Sequence, residues 1–166
     1  MQLNGLIYTL PKEIKLLIGA FILVLSIGFY TGLLFVGETS SAAPNGIEEQ
    51  YLGNEADEDA EVMKFKKSEQ EMLTLVHNHI LSMSIIFFLV GLVLSTTKLN
   101  QKLKLFLIVE PFVSVVLTFG GLYLLWTGLL WMKYIVMFSG ILMTLTFTAS
   151  VLIILFQLFK NKTTTA

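Results

Sequence analysis

Residues 130–159, LWMKYIVMFSGILMTLTFTASVLIILFQLF, carry a single charge, Lys133. A helix rises ~1.5 Å per residue and needs roughly 20 apolar residues to cross ~30 Å of hydrocarbon. The stretch therefore reads as a membrane span. Three more read the same way, at about residues 14–36, 72–97 and 103–126. Hydrophobic residues make up 55% of the 166-residue chain and charged residues 14%, and mean hydropathy is +0.77. That is far from the balance of a soluble domain. The pattern predicts an all-α membrane protein, a single transmembrane domain over residues 1–166 built as a four-transmembrane-helix antiparallel bundle in a lipid bilayer.

Charge sets the expected orientation. All eleven basic residues are lysines. Lys12 and Lys15 precede the first span, Lys98, Lys102 and Lys104 separate the second and third, and Lys160 and Lys162 follow the fourth. Basic connections stay inside, so four crossings with N- and C-termini cytoplasmic are predicted. The short outward connection, around Thr127 and Gly128, carries Trp126, Trp131 and Tyr134, suited to the interface. The long one, residues 38–70, holds nine acids against Lys64, Lys66 and Lys67, a local charge of 3 − 9 = −6. A net charge of −1 speaks against a nucleic-acid partner. Lysine in place of arginine, with much isoleucine, suggests AT-rich bacterial coding, hence a bacterial inner membrane with the acidic loop extracytoplasmic. The first apolar run is about twice the length of a signal peptide's core, and Ser40-Ser41-Ala42-Ala43 is an imperfect cleavage site, so a retained span is predicted. The chain has no cysteine, so neither disulfide nor thiolate chemistry is open to it.

Between the spans, turn formers such as Pro44, Asn45-Gly46 and Gly53-Asn54 predict irregular structure over residues 38–60. Glu61–Gln70 reads as an outward extension of the second span, with Val62, Met63 and Phe65 toward headgroups. Thr96–Gln101 predicts a tight turn between antiparallel neighbours. Gly28 and Gly32 form a G-x-x-x-G at which another backbone could approach closely.

Helical spacing gathers polar residues into stripes. The third span aligns Glu110, Ser114, Thr118 and Gly121; the fourth aligns Ser139, Met143, Thr146, Ser150 and Gln157, with Gly140, Thr144 and Thr148 beside them. The second offers His77, Ser84, Gly91 and Ser95, and the first Gly19, Ser26, Tyr30 and Gly37. Small and hydroxyl residues on one face suit close helix packing joined by interhelical hydrogen bonds. Glu110 is the one acid well inside a span, and an ionised carboxylate there is costly unless paired, protonated or near water. Pro111 beside it leaves the Leu107 carbonyl without its helical donor. Two readings follow: a proton or cation pathway through Glu110, Ser114 and Thr118, or a structural carboxylate bonded to a hydroxyl or reached by Lys98 or Lys104.

The two histidines fall together in Thr74-Leu75-Val76-His77-Asn78-His79. Residues two apart on a helix point roughly 200° apart, so the pair does not chelate one metal. One imidazole per face suits an axial ligand of haem b, with Met137 at a similar depth to His79 as second ligand. The other readings place both at headgroup level, bonded to the loop, or sharing a metal with loop carboxylates. The acidic run lacks an EF-hand register. Glu48, Glu49, Tyr51, Glu55, Asp57, Glu58 and Asp59 read as a docking loop for a basic partner, or as a solvated face. No phosphate loop, nucleophile elbow, Ser-His-Asp set or catalytic carboxylate pair is present.

Gly46-Ile47-Glu48-Glu49-Gln50-Tyr51-Leu52-Gly53-Asn54-Glu55, Met63-Lys64-Phe65, Lys67-Ser68, Thr74 to His79 and Glu110-Pro111-Phe112 together resemble small four-span bacterial inner-membrane proteins. Those share a G-I-x-E-x-Y-x-G loop and an H-x-H helix start, and the likeness spans about residues 12–158. It implies no activity, only that the loop and the top of the second span form one feature. The leading expectation is a non-catalytic accessory subunit of a larger inner-membrane complex, respiratory or transport-related, with other membrane-protein subunits as partners. The alternatives are a haem b-binding four-helix cytochrome-like protein using His77 or His79, and a proton or cation pathway using Glu110.

Overall fold

Hydrocarbon offers no hydrogen-bond partners, so a spanning backbone must satisfy itself within its own helix. The computed structural model, which describes residues 3–40, 44–55 and 62–160, contains four helical segments long and apolar enough to cross a membrane. Helix α1 spans Lys12–Ser40, α2 Pro44–Leu52, α3 Glu69–Ser95, α4 Gln101–Val115, α5 Gly121–Trp126 and α6 Met132–Phe159. A π turn, Val116–Gly120, joins α4 to α5 in one span. No strand occurs among the described residues.

The spans run up, down, up and down. His79 lies against Phe119 toward one end of the α3–α4 pair, and Gly91 faces Ile108 toward the other. Tyr30 meets Thr148 in the middle of the α1–α6 pair, and Gly19 lies against Leu158 and Phe159 at its end. Helix α6 is the hub, packing on α1, α3, α4 and α5. Its fully buried Phe147 stacks on Phe29 at 4.0 Å between centroids and meets the Phe87 ring edge-on at 6.2 Å. Lipid tails are as apolar as these side chains, so shape fit rather than water exclusion holds the bundle. At Gly121 a Cβ would come within 2.9 Å of Val136 Cγ2, so only glycine lets α5 and α6 approach this far.

Most hydroxyls do not bridge helices as the stripes predict. Ser26, Thr31, Ser82, Ser95, Thr144 and Thr146 donate to carbonyls three or four residues back on their own helices. Among the described residues two hydroxyl pairs cross: Tyr30–Thr148 at 2.8 Å and Thr118–Ser139 at 2.7 Å. Thr148 gives its proton to the Thr144 carbonyl and Ser139 to that of Ile135. Tyr30 and Thr118 are therefore the donors across the seams. A Cβ built at Gly28 or Gly32 has no atom of another described segment within 4 Å, so among the described residues the G-x-x-x-G seats no neighbouring helix.

One end of the bundle is tied by polar clamps. The Gln157 amide grips the Lys98 peptide twice, accepting from its N–H at 2.7 Å and donating to its carbonyl at 3.1 Å. The N–H groups of Gly5 and Ile7 donate to the Thr96 carbonyl. Lys104 Nζ donates to the Ser95 and Thr97 carbonyls and to Asn4 Oδ1. The lead before α1, the α3–α4 turn and the end of α6 thus share one end. Two local expectations are corrected. Pro44–Leu52 is helical, because Ile47 and Tyr51 pack into the bundle end. Residues 62–68 do not extend α3, because Ser68 caps it, accepting from Glu71 N–H while Glu71 accepts from Ser68 N–H.

Phe147→Ala is expected to cost roughly 3–5 kcal/mol, read as an earlier midpoint in detergent-denaturant unfolding. The outward Phe156, 68% exposed, should be neutral when truncated.

Candidate functional site

Three polar features compete for function: an ordered cap over the end opposite the clamps, a groove beside His79, and the buried Glu110. The cap begins where Gly53 turns with φ +82°; a Cβ there would stand 2.7 Å from Lys66 N and 2.8 Å from the Lys64 carbonyl. Asn54 then closes the loop. Its N–H donates to the Lys64 carbonyl at 2.9 Å, its Oδ1 accepts from Lys64 N–H at 2.6 Å, and its Nδ2 donates to the Val62 carbonyl at 3.0 Å. Lys67 N–H returns to the Tyr51 carbonyl at 3.2 Å.

Two anchors pin this cap to the bundle. Trp126 Nε1–H donates to the Lys67 carbonyl at 2.8 Å while Lys66 Nζ sits 5.1 Å from the Trp126 ring centroid. Lys133, the single charge of the fourth span, pairs with Glu48 at 2.6 Å. Burial pushes the Tyr51 phenol above its ordinary value. Of the other expected docking residues, Glu49 is half-buried, Glu55 is exposed, and Asp57, Glu58 and Asp59 lie outside the described residues.

The histidines separate as helical geometry requires. His77 is exposed and His79 half-buried. His79 Nδ1 lies 2.8 Å from the Leu75 carbonyl, an acceptor only, so Nδ1 donates in this bond. The ring stacks on Phe119 at 4.7 Å. Phe119 and Thr118 both belong to the π turn, Phe119 facing α3 and Thr118 facing α6. His79 borders an open groove of about 460 Å³ whose lining includes Lys67, Gln70, Glu71, Thr74 and Asn78. Met137 is not among the residues lining this groove, so the groove does not join His79 to the second ligand that the spacing suggested. Among the described residues, no group of three or more His, Asp and Glu is placed to hold a metal.

Glu110 is buried, with 8% of its surface exposed. Ser114 Oγ–H donates to its Oε1 in a short bond. Its Oε2 is sealed from solvent and has no hydrogen-bond partner. The expected reach of Lys104 to this carboxylate is corrected, since the ammonium serves Ser95, Thr97 and Asn4 instead. Thr118 continues the face but bonds to Ser139, not to Ser114. Spacing alone placed Glu110, Ser114, Thr118 and Gln157 on inward faces. It missed Phe119, the π turn and the Glu48–Lys133 pair, although one lysine in an apolar span was a signal that a partner acid existed.

Residues 41–165, about three-quarters of the chain, match the Aq_1264_TM family, described as a transmembrane helical domain, and the chain belongs to that family. The matched part holds the cap and three spans, with α1 ahead of it. No curated protein and no solved structure matches the chain.

Gly53→Ala should loosen the cap by roughly 1–3 kcal/mol, the range for backbone forced into an unsuited conformation. Limited proteolysis between residues 53 and 68 should speed up while bundle unfolding stays unchanged. Gly28→Ala, which meets open space, should alter neither.

Proposed function

We propose that this integral membrane protein is a non-catalytic accessory subunit of a larger bacterial inner-membrane assembly, respiratory or transport-related, with its cap as the docking platform for a basic partner. The observation that supports this reading is the clasp at Gly53 and Asn54, pinned by Trp126 and Lys133. Ordering backbone costs about 1–2 kcal/mol per residue. A loop that merely joins two spans needs no fixed shape, whereas a recognition surface does. The segment is net acidic, near −6 over residues 38–70 with Lys64, Lys66 and Lys67 included, which suits electrostatic steering of a cationic surface.

The distribution of lysines supports placing the cap outside the cytoplasm. Lys12, Lys15, Lys98, Lys102, Lys104 and Lys160 gather at the clamped end, the side the positive-inside rule retains. Because the chain has no cysteine, Asp57→Cys gives a single thiol. It should be labelled by an impermeant maleimide on intact spheroplasts, and labelling only after lysis would reverse the orientation.

Purification from native membranes in mild detergent should yield a stoichiometric complex that high salt weakens. Replacing Asp57, Glu58 and Asp59 with Asn, Gln and Asn should release the partner at least tenfold more readily, with the bundle intact. A monomeric wild type, or a complex indifferent to both changes, would defeat the proposal.

A further inference from the structure

We infer that Glu110 is a proton-binding site inside the bundle: it is held as the neutral acid, with the proton on Oε2 and Ser114 donating to Oε1. Oε2 is the one buried side-chain polar atom without a partner among the described residues. A carboxylate charge left there with a single hydroxyl donor would be the costliest arrangement the bundle could adopt.

The charges that could neutralise it are engaged or distant, and Lys98 is exposed at the clamped end. The three N–H groups of Lys104 are matched by three acceptors, Ser95, Thr97 and Asn4. Lys133, the one basic residue of α6, pairs with Glu48 at the capped end. On α3, His79 lies beside Phe119, nine residues and about 13 Å farther along the span than Glu110; His77, Glu69 and Glu71 are at or beyond that level. A metal cation or a bridging water needs space and several oxygens. A proton needs neither, and it removes the charge. Pro111 withholds the helical donor from the Leu107 carbonyl, three residues before Glu110.

The geometry also fixes how the site should look spectroscopically. Only the carbonyl oxygen of the acid, Oε1, receives a hydrogen bond. Infrared spectra of the full-length protein in an alkyl maltoside, a detergent without carbonyl groups, at neutral pH, where exposed carboxyls are ionised, should show a protonated-carboxyl C=O stretch. Glu110→Gln should abolish it. Ser114→Ala keeps the acid but removes the donor to its carbonyl, so the band should persist at higher frequency. A wild type with no such band, or a band that survives Glu110→Gln, overturns the inference. If Glu110→Gln does not accumulate as folded protein, Ser114→Ala decides: a shifted band supports the site, and an unmoved band refutes it. None of these readouts depends on a partner, so failure here leaves the accessory-subunit reading standing, and the reverse holds too.

Discussion

The absence of hydrogen-bond partners in hydrocarbon is the constraint from which the rest of this structure follows. It makes the spans helical, and it also disciplines the side chains. Hydroxyls that could reach across a seam mostly turn back onto carbonyls of their own helix. The two crossings that exist are relays: a hydroxyl on α6 passes its proton to its own backbone and accepts from Tyr30 or Thr118. Satisfaction is so complete that a single oxygen of Glu110 stands out.

Packing then decides which helices matter. Lipid removes most of the advantage of hiding apolar surface, so cohesion rests on interdigitation around α6. The aromatic group of Phe29, Phe87 and Phe147 joins three spans at one level, and Gly121 brings the third span in close. Helix α1 sets Gly19, Ile22, Phe29 and Tyr30 into the bundle, with Leu16, Leu23, Ile27 and Leu34 left exposed. The third span serves two neighbours, at the π turn with Thr118 toward α6 and Phe119 toward α3.

Much of this was legible in the chain. Four apolar runs announced four spans, and helical spacing put Glu110, Ser114, Ser139, Thr146 and Ser150 inward, where they are buried. The loop was read less well, for a physical reason. Turn formers over residues 44–54 describe local preference, but Ile47 and Tyr51 fold as a helix because the bundle end gives them somewhere to pack. Gly53-Asn54 was correctly a turn signal, yet nothing in the dipeptide says that Lys64 and Val62, ten and eight residues on, will be its partners. The haem reading rests on the spacing of His77, His79 and Met137, and the groove that adjoins His79 does not include Met137.

Asn54 holds both the backbone and the amide of the returning segment, and in doing so it isolates what lies between. The points from which residues 55 to 61 depart and to which they return, Asn54 and Val62, are thereby tied by a direct hydrogen bond. Closing a longer excursion between such points costs only about 0.6 kcal/mol per doubling of length. A longer insert there would therefore add little to the cost of holding the clasp.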